Sequence, residues 1–398
     1  MSTFRRRLMM GALGGGDRSN LSMFDIYGNP IKQTTANCYV VSKPGTYKFP
    51  LVFGCALKNG AENPESYTNN GGSKSHDFED YNGKIITSPY IEEVSENATS
   101  VQLSIADTDG IFTDFSIIDG SPCRYVQFSV ANVPVTGANG IISIKDDSGI
   151  VMWSWHIWVW TDDLTPVEIT NATEYKYNIL PVNLASKWDD DEHTHIKNWF
   201  YQFGRPVPLL CPSAYNSTSD HASYGALRFT RALIASGLYI GIQNPTTFYK
   251  YDTSYYNNWF RIESSRTCNL WDASCKEYGN SDNSVVKTVY DPCPVGFKMP
   301  NGNTFTYFVK SNVVGSFANG YRFKRHSADT VGLFFPASGF LNVMAGNLTS
   351  VGQVGGVYLS SSATISYPYY FQFLSGEVTP QAFGGGRASG FSVRPVQE

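Results

Sequence analysis

Apolar residues occupy every second position in several short segments of the first part of this chain. Two such segments are formed by Val101, Leu103 and Ile105, and by Val126, Phe128 and Val130. A period of two is typical of strands that bury one face. The pattern therefore predicts a succession of short strands that begins near residue 37.

The most apolar segment follows a predicted hairpin turn. Residues 141–144 lead into the sequence DDSG at 146–149, and the chain returns as residues 150–160. The returning segment is apolar on both faces, and a strand of that kind must be covered on both sides. Short strands separated by turns favour a sandwich of two sheets. We therefore predict an Ig-like β-sandwich at residues 37–163, followed by a linker around residues 162–166.

Residues 164–398, which follow the predicted sandwich, have a different pattern and are predicted to form a separate region. Residues 222–236 carry the helical period, with apolar residues such as Leu233 on one face and Gly237 as a stop signal. Loops rich in Asn, Ser, Tyr and Gly follow, interrupted by short strands. A small sheet with long ordered loops is the expected structure, and such loops are common locations for binding sites.

Composition narrows the class of protein. The 398 residues include 30 Lys and Arg and 34 Asp and Glu, which gives a net charge of −4 and 16% charged residues. Aromatic residues reach 15%, as in β-rich folds. The net charge argues against nonspecific binding to nucleic acid, and no apolar run reaches the roughly 18 residues of a membrane span. We predict a mainly β protein that binds neither nucleic acid nor membrane.

The N-terminal residues, 1–36, are predicted to form an arm. Three arginines precede a short apolar run that the glycines at 14–16 interrupt. This pattern fits either the start of an export signal or a basic arm that docks on a partner protein. The residues predicted to dock are Arg5, Arg6, Arg7, Leu8, Met9 and Met10.

Several motifs in the second half carry a resemblance to a known family. Residues 291–300 read DPCPVGFKMP, which resembles the DPCPxGxxxP signature of the Fibrobacter-type major paralogous domain. YQFGR at 201–205 and FPASGF at 335–340 resemble further motifs of that group. The segments at 356–362 and 390–396 resemble the end of its C-type-lectin-like domains, although Leu359 stands where the family commonly has Trp.

The resemblance covers about residues 150–398 and implies a C-type-lectin-like α+β domain at 164–398. Fimbrillin-associated domains of gut-bacterial surface proteins and receptor-binding proteins of gut phages, including crAss-like phages, are similar. Formylglycine-generating enzymes share this fold, but their reactive Cys pair lies near the C-terminus, and here no cysteine follows Cys293.

The sequence gives little support for metal binding, catalysis or disulfide bonds. The acidic segment at 189–195, which ends His-Thr-His, fits either a divalent metal site or a solvated acidic turn. His156 lies in an apolar strand and is expected to be a hydrogen-bonded core residue. Calcium-binding lectin triplets are absent from the sequence, and the seven cysteines lack zinc-ligand spacing, so reduced thiols are expected. We predict no catalytic residue, no metal and no cofactor.

The last forty or so residues supply the candidate binding surface. Phe371 and Phe373 share one predicted strand face and are expected to point inward. Between the positions that match the family lie Tyr, Ser and other polar residues, which are typical of adaptable binding surfaces. The predicted ligand-binding residues are Thr364, Ser366, Tyr367, Tyr369, Tyr370, Gln372, Thr379, Gln381, Phe383 and Ser389.

These observations lead to three functional hypotheses. The first is a phage virion fibre or receptor-binding protein, docked on other virion proteins by the arm and bound to a host surface glycan or glycoprotein. The alternative is a secreted fimbrial or surface adhesin on the bacterial cell, and an enzyme on the same scaffold is the third. A homotrimer or homodimer is expected, with the strand at 151–160 either at the interface or covered within the sandwich.

Overall fold

The computed structural model describes residues 19–187, 199–209, 230–255, 257–261, 266–315, 320–344, 348–349, 355–364, 366–374 and 376–398. Within them the chain is mainly β, as predicted, with two short α-helices, α1 (Ile91–Val94) and α2 (Leu238–Gln243). No helix in this described part is long and apolar enough to span a membrane.

Nine strands lie in the described residues before residue 163. They are β1 (Cys38–Val41), β2 (Gly45–Pro50), β3 (Leu57–Lys58), β4 (Ala61–Glu62), β5 (Ser100–Ala106), β6 (Phe112–Ile118), β7 (Tyr125–Val130), β8 (Ala138–Lys145) and β9 (Val151–Val159). One sheet has the order β1-β9-β8-β5 and a second the order β2-β7-β6, while β3 and β4 form a hairpin. The ring of Phe49 in β2 lies 4.8 Å from that of Trp155 in β9. The two larger sheets therefore pack face to face as a sandwich.

The predicted hairpin between β8 and β9 is confirmed. Strand β8 pairs antiparallel with β9, and the turn between them places Gly149 at φ 78°. The Asp146 carboxylate accepts a hydrogen bond from the backbone N–H of Ile150 at 2.8 Å. Asp and Gly in these positions are the residues that a tight turn favours, which explains why the sequence revealed it.

Strand β9 is buried along its whole length. On one face, Trp155 packs against the second sheet. On the other, the indole N–H of Trp158 donates to the backbone carbonyl of Ser186 at 3.0 Å, and His156 stacks on Trp199 at 5.7 Å. The same chain thus covers both faces, and this strand supplies no surface for a subunit interface.

The sandwich shares a core with the second half of the chain. The amide nitrogen of Asn37 donates to the carbonyls of Val289 and Asp291 at 2.6 and 2.9 Å. Its amide oxygen accepts from the indole N–H of Trp153 at 3.0 Å, and Trp153 stacks on Tyr290 at 6.1 Å. One continuous hydrophobic cluster contains residues from both parts.

Part of the predicted arm packs on this core. Residues 19–36 include a 3-10 helix, Leu21–Met23, and the buried side chains of Leu21 and Ile26. The backbone N–H of Lys48 in β2 donates to the carbonyl of Ser19 at 2.7 Å. This stretch is therefore not a free arm. The predicted docking residues, Arg5 to Met10, lie outside the described residues.

Sixteen further strands lie in the described residues from residue 167 onward. They are β10 (Val167–Thr170), β11 (Lys176–Ile179), β12 (Tyr201–Gln202), β13 (Thr230–Ala232), β14 (Thr247–Tyr249), β15 (Phe297–Lys298), β16 (Val313–Val314), β17 (Gly320–Phe323), β18 (Leu333–Pro336), β19 (Phe340–Leu341), β20 (Leu348–Thr349), β21 (Gly355–Ala363), β22 (Pro368–Leu374), β23 (Glu377–Phe383), β24 (Gly390–Phe391) and β25 (Val396–Gln397). They form several small sheets, among them β21-β22-β23 and β10-β11-β25-β15.

The helix predicted at 222–236 is wrong over its described part. Residues 230–232 form strand β13, which pairs parallel with β14, and residues 222–229 lie outside the described residues. Leu233 is 78% exposed, so the predicted apolar stripe does not face a core. Gly237 precedes helix α2 instead of ending a helix. The pairing of residues 230–232 with the distant strand β14 overrides the local helical pattern.

Candidate functional site

The predicted binding residues lie on or next to the sheet β21-β22-β23. Phe371 and Phe373 in β22 are 1% and 0% exposed, which confirms that both rings point inward. The ring of Phe371 lies 5.2 Å from that of Phe323 and 5.6 Å from that of Phe305. These aromatic side chains form a core on one face of the sheet, and this core fixes the position of β22.

The sheet separates the predicted residues onto its two faces. Tyr370 and Gln372 alternate with the inward rings and lie on the opposite face, and Gln372 pairs with Thr379 in β23. A β-bulge interrupts the pairing of β22 with β23 between Tyr370 and Gln372. Beyond it, Tyr369 pairs with Phe383 on the face of Phe371. The predicted patch is therefore not one continuous surface.

Tyr370, another predicted binding residue, is half-buried and packs against its neighbours. Its ring lies 5.1 Å from the ring of Phe391, and it pairs across the sheet with the fully buried Leu359. Burial raises the pKa of its hydroxyl. The second face of the sheet rests on the main hydrophobic core, and the alternation of residues could not reveal that cover.

The residues at the turn before β22 hold the turn together. The hydroxyl of Thr364 accepts hydrogen bonds from the backbone N–H groups of Tyr367 and Ser366, at 2.9 and 3.3 Å.

Ser389 is 1% exposed, and its hydroxyl donates to the carbonyl of Gly385. Ser389, also a predicted binding residue, is thus buried at a hydrogen-bonded turn.

One part of the predicted set forms an accessible edge, which we call the aromatic rim: the exposed Phe383, the half-buried Tyr369 and Gln381, and the neighbouring, half-buried Asn303. Phe383 is 64% exposed, and its ring meets that of Tyr369 edge to face at 6.2 Å. The amide nitrogen of Gln381 donates to the side-chain oxygen of Asn303 at 2.6 Å. Two rings thus lie beside two amides at the edge of the sheet.

Sequence reasoning missed Asn303 as a member of this surface. The feature of the sequence that could have indicated this surface is the pair of asparagines on either side of Gly302. The carbonyl of Gly302 also accepts a hydrogen bond from the side-chain amide of Gln381 at 3.4 Å. The loop that follows contributes Phe305 to the aromatic core, and this contact brings Asn303 to the edge of the sheet.

The motifs that carry the family resemblance hold the fold and are buried. In the DPCP motif, the carboxylate of Asp291 accepts from the backbone N–H groups of Cys293 and Met299 at 2.7 and 2.9 Å. In YQFGR, the guanidinium of the 1% exposed Arg205 donates to the carbonyls of Asn244 and Thr247 at 2.9 and 2.5 Å. Such groups fix loops in place because buried polar atoms must be hydrogen-bonded.

His156 is the hydrogen-bonded core residue that was predicted. Its Nε2 lies 2.9 Å from the side-chain oxygen of Asn139, and burial lowers its pKa to about 3. A neutral, fully buried imidazole has no access to a substrate. It serves the packing between the sandwich and Trp199.

The described part of the chain contains no cluster of potential metal ligands. There, no three His, Cys, Asp or Glu side chains come together in a group able to hold a metal ion. The acidic segment at 189–195 lies outside the described residues. The six described cysteines are free thiols.

Comparison with protein-family models, curated proteins and solved structures finds no match to this chain. The resemblance to the lectin-like family therefore rests on the motifs themselves. The aromatic rim is the part of the predicted binding surface that contains an exposed aromatic ring, that of Phe383.

Proposed function

We propose that this protein is a structural component of a phage virion, a fibre or receptor-binding protein, that attaches to a host surface glycan or glycoprotein through the aromatic rim. In this proposal the sandwich is an Ig-like spacer and the second half is a C-type-lectin-like tip. The adhesin of a bacterial surface remains the alternative assignment. The observation that supports the proposal is the contact between the exposed ring of Phe383 and the half-buried ring of Tyr369.

The chemistry of the rim fits a sugar. A pyranose ring has an apolar C–H face that packs on an aromatic ring, and its hydroxyls exchange hydrogen bonds with amides. Tyr369 and Phe383 offer the rings, and Gln381 and Asn303 offer amide groups. Large aromatic side chains with few rotatable bonds lose little entropy on binding. The rim is small, so several copies in a homotrimer or homodimer would raise the avidity.

The difference in burial between the rim and the core explains how the binding surface tolerates amino-acid substitutions. Phe371, buried behind the rim, belongs to the aromatic core, whereas Phe383 is mostly exposed. Exposed substitutions usually alter stability by less than about 0.5 kcal/mol. The binding surface can therefore vary without loss of the fold. Arg5, Arg6, Arg7, Leu8, Met9 and Met10 are proposed to dock the protein on other virion proteins.

The proposal is tested by measuring adsorption of the fluorescently labelled full chain to a panel of gut bacterial isolates. The double variant Tyr369→Ala/Phe383→Ala should bind roughly 30-fold more weakly to the isolates that retain the wild type, since an aromatic anchor contributes about 2 kcal/mol. Tyr175→Ala is the matched control, because Tyr175 is also an exposed aromatic residue, 55% accessible, that contacts a second ring.

Unchanged adsorption of the double variant would contradict the proposal, as would an equal loss in the control. Binding is also expected to persist in a chelator, because the proposed contacts use rings and amides and no calcium ligand. Release by chelation alone would contradict this assignment of the site.

A further inference from the structure

A polar cleft of about 370 Å³ lies away from the aromatic rim. One wall is formed by residues 69–79, and the other by the start of α2 with Phe260, Arg261 and Arg266. Its volume falls within the range of small-molecule sites, roughly 300–1,000 Å³. Side chains of both charges line it, namely His76, Asp77, Glu79, Arg261 and Arg266.

Buried side chains hold the first wall in place. Asn269, fully buried, accepts from the backbone N–H of His76 at 2.7 Å and donates to its carbonyl at 2.8 Å. The hydroxyl of the buried Tyr290 accepts from the N–H of Glu79 at 2.6 Å and donates to its carbonyl at 2.7 Å. The backbone at both His76 and Glu79 is thus fixed before any ligand arrives, which lowers the entropy cost of binding.

The fixed backbone presents hydrogen-bonding groups to the cleft. His76 Nδ1 lies 2.6 Å from the carbonyl of Asp77, so Nδ1 carries a proton. Its Nε2 lies 4.0 Å from a carboxylate oxygen of Glu79. Burial raises the pKa of Glu79, and His76 opposes that rise. Imidazole and carboxyl groups side by side are suited to hydroxyl groups of a ligand, which both donate and accept.

The opposite wall supplies positive charge. Arg261 and Arg266 are both exposed, and the Arg261 guanidinium lies 5.7 Å from the centre of the Tyr255 ring. A planar guanidinium matches a carboxylate with two parallel hydrogen bonds. Asp77 and Glu79 in the same cleft oppose ligands with several negative charges. A ligand with one carboxylate and several hydroxyls satisfies both walls.

We propose that this cleft binds an acidic saccharide, with the sugar carboxylate on Arg261 and Arg266 and the hydroxyls on His76 and Glu79. Tyr239, half-buried at the start of α2, lies at the cleft and offers a ring for the sugar face. The site is separate from the aromatic rim and goes beyond the proposed function, on which it does not depend.

Calorimetric titration of the full chain tests the inference. The probes are the methyl glycosides of glucuronic and galacturonic acid, compared with those of glucose and galactose. At least one acidic sugar should bind about fivefold more tightly than its neutral counterpart, since an ion pair with an exposed guanidinium is screened by solvent. The variant Arg261→Gln/Arg266→Gln should remove that preference, and Glu79→Gln should weaken binding of the acidic and neutral sugars alike.

Two control variants distinguish binding in the cleft from a general charge effect and from binding at the rim. Lys43→Gln/Lys84→Gln changes the net charge by the same amount at exposed positions outside the cleft and should leave the preference intact. Tyr369→Ala/Phe383→Ala should also leave it intact, so a failure of the rim and a failure of the cleft give different results. The inference is overturned if neither acidic sugar binds more tightly than its neutral counterpart, or if the arginine variant keeps the preference.

Discussion

Replacing Phe371 by alanine should destabilise the second half of the chain strongly, whereas the same replacement of Phe383 should not. Both are phenylalanines in one three-stranded sheet, and they differ in exposure, 1% against 64%. The pair therefore isolates the effect of burial. Its outcome decides whether Phe371 belongs to the core while Phe383, farther along the same face, is free for binding.

The magnitude follows from the contacts of each ring. The ring of Phe371 lies within 6 Å of several others, including those of Phe323 at 5.2 Å, Phe335 at 5.6 Å and Tyr358 at 5.8 Å. Buried Phe→Ala changes cost about 3–5 kcal/mol, so we expect about 4 kcal/mol, or roughly a thousandfold in the unfolding equilibrium. Phe383 has its ring contact with Tyr369, and its loss should cost less than about 1 kcal/mol.

Guanidinium chloride unfolding, followed by near-ultraviolet circular dichroism of the aromatic core, measures both values. The unfolding midpoint should fall clearly for Phe371→Ala at an unchanged slope, and stay near the wild type for Phe383→Ala. Equal midpoints for the two variants would refute the difference in burial between Phe371 and Phe383, on which the aromatic rim is based.

Two further predictions concern the sandwich and its junction. His156 has a pKa of about 3 when folded and about 6.5 when unfolded. The unfolded chain therefore binds one more proton between these values, and the free energy of unfolding should fall by about 1.4 kcal/mol for each pH unit of acidification below about 6.5. His156→Gln should reduce this slope in pH-dependent denaturation and the exposed His326→Gln should not; equal slopes would contradict the buried neutral imidazole. Asn37→Ala should cost about 2 kcal/mol or more, because it leaves the Trp153 N–H and two buried carbonyls without partners, and an unchanged melting temperature would contradict the shared core.

The sequence predicted features that local residues determine. The β8–β9 hairpin followed from its Asp and Gly turn, and the double-sided cover of β9 followed from apolar residues on both faces. Phe371 and Phe373 were assigned inward by alternation, which the buried rings confirm. In each case the residues of one short segment are sufficient to predict its structure.

Features that depend on distant residues could not be predicted in this way. Alternation placed Tyr370 opposite Phe371, but only the packing of Phe391 shows that this second face is covered as well. The strand at residues 230–232 depends on pairing with β14, which no local pattern reveals. Asn303 reaches the rim because the following loop inserts Phe305 into the aromatic core.

Competition for host attachment tests the central claim most directly. Cells of a permissive gut isolate are saturated with the purified full chain, and adsorption of the phage that is proposed to carry this protein is then counted. The account predicts that the wild-type protein blocks adsorption and that the Tyr369→Ala/Phe383→Ala variant, at equal concentration and equal stability, does not. Equal blocking by the two proteins, or no blocking by the wild type, would contradict attachment through the aromatic rim.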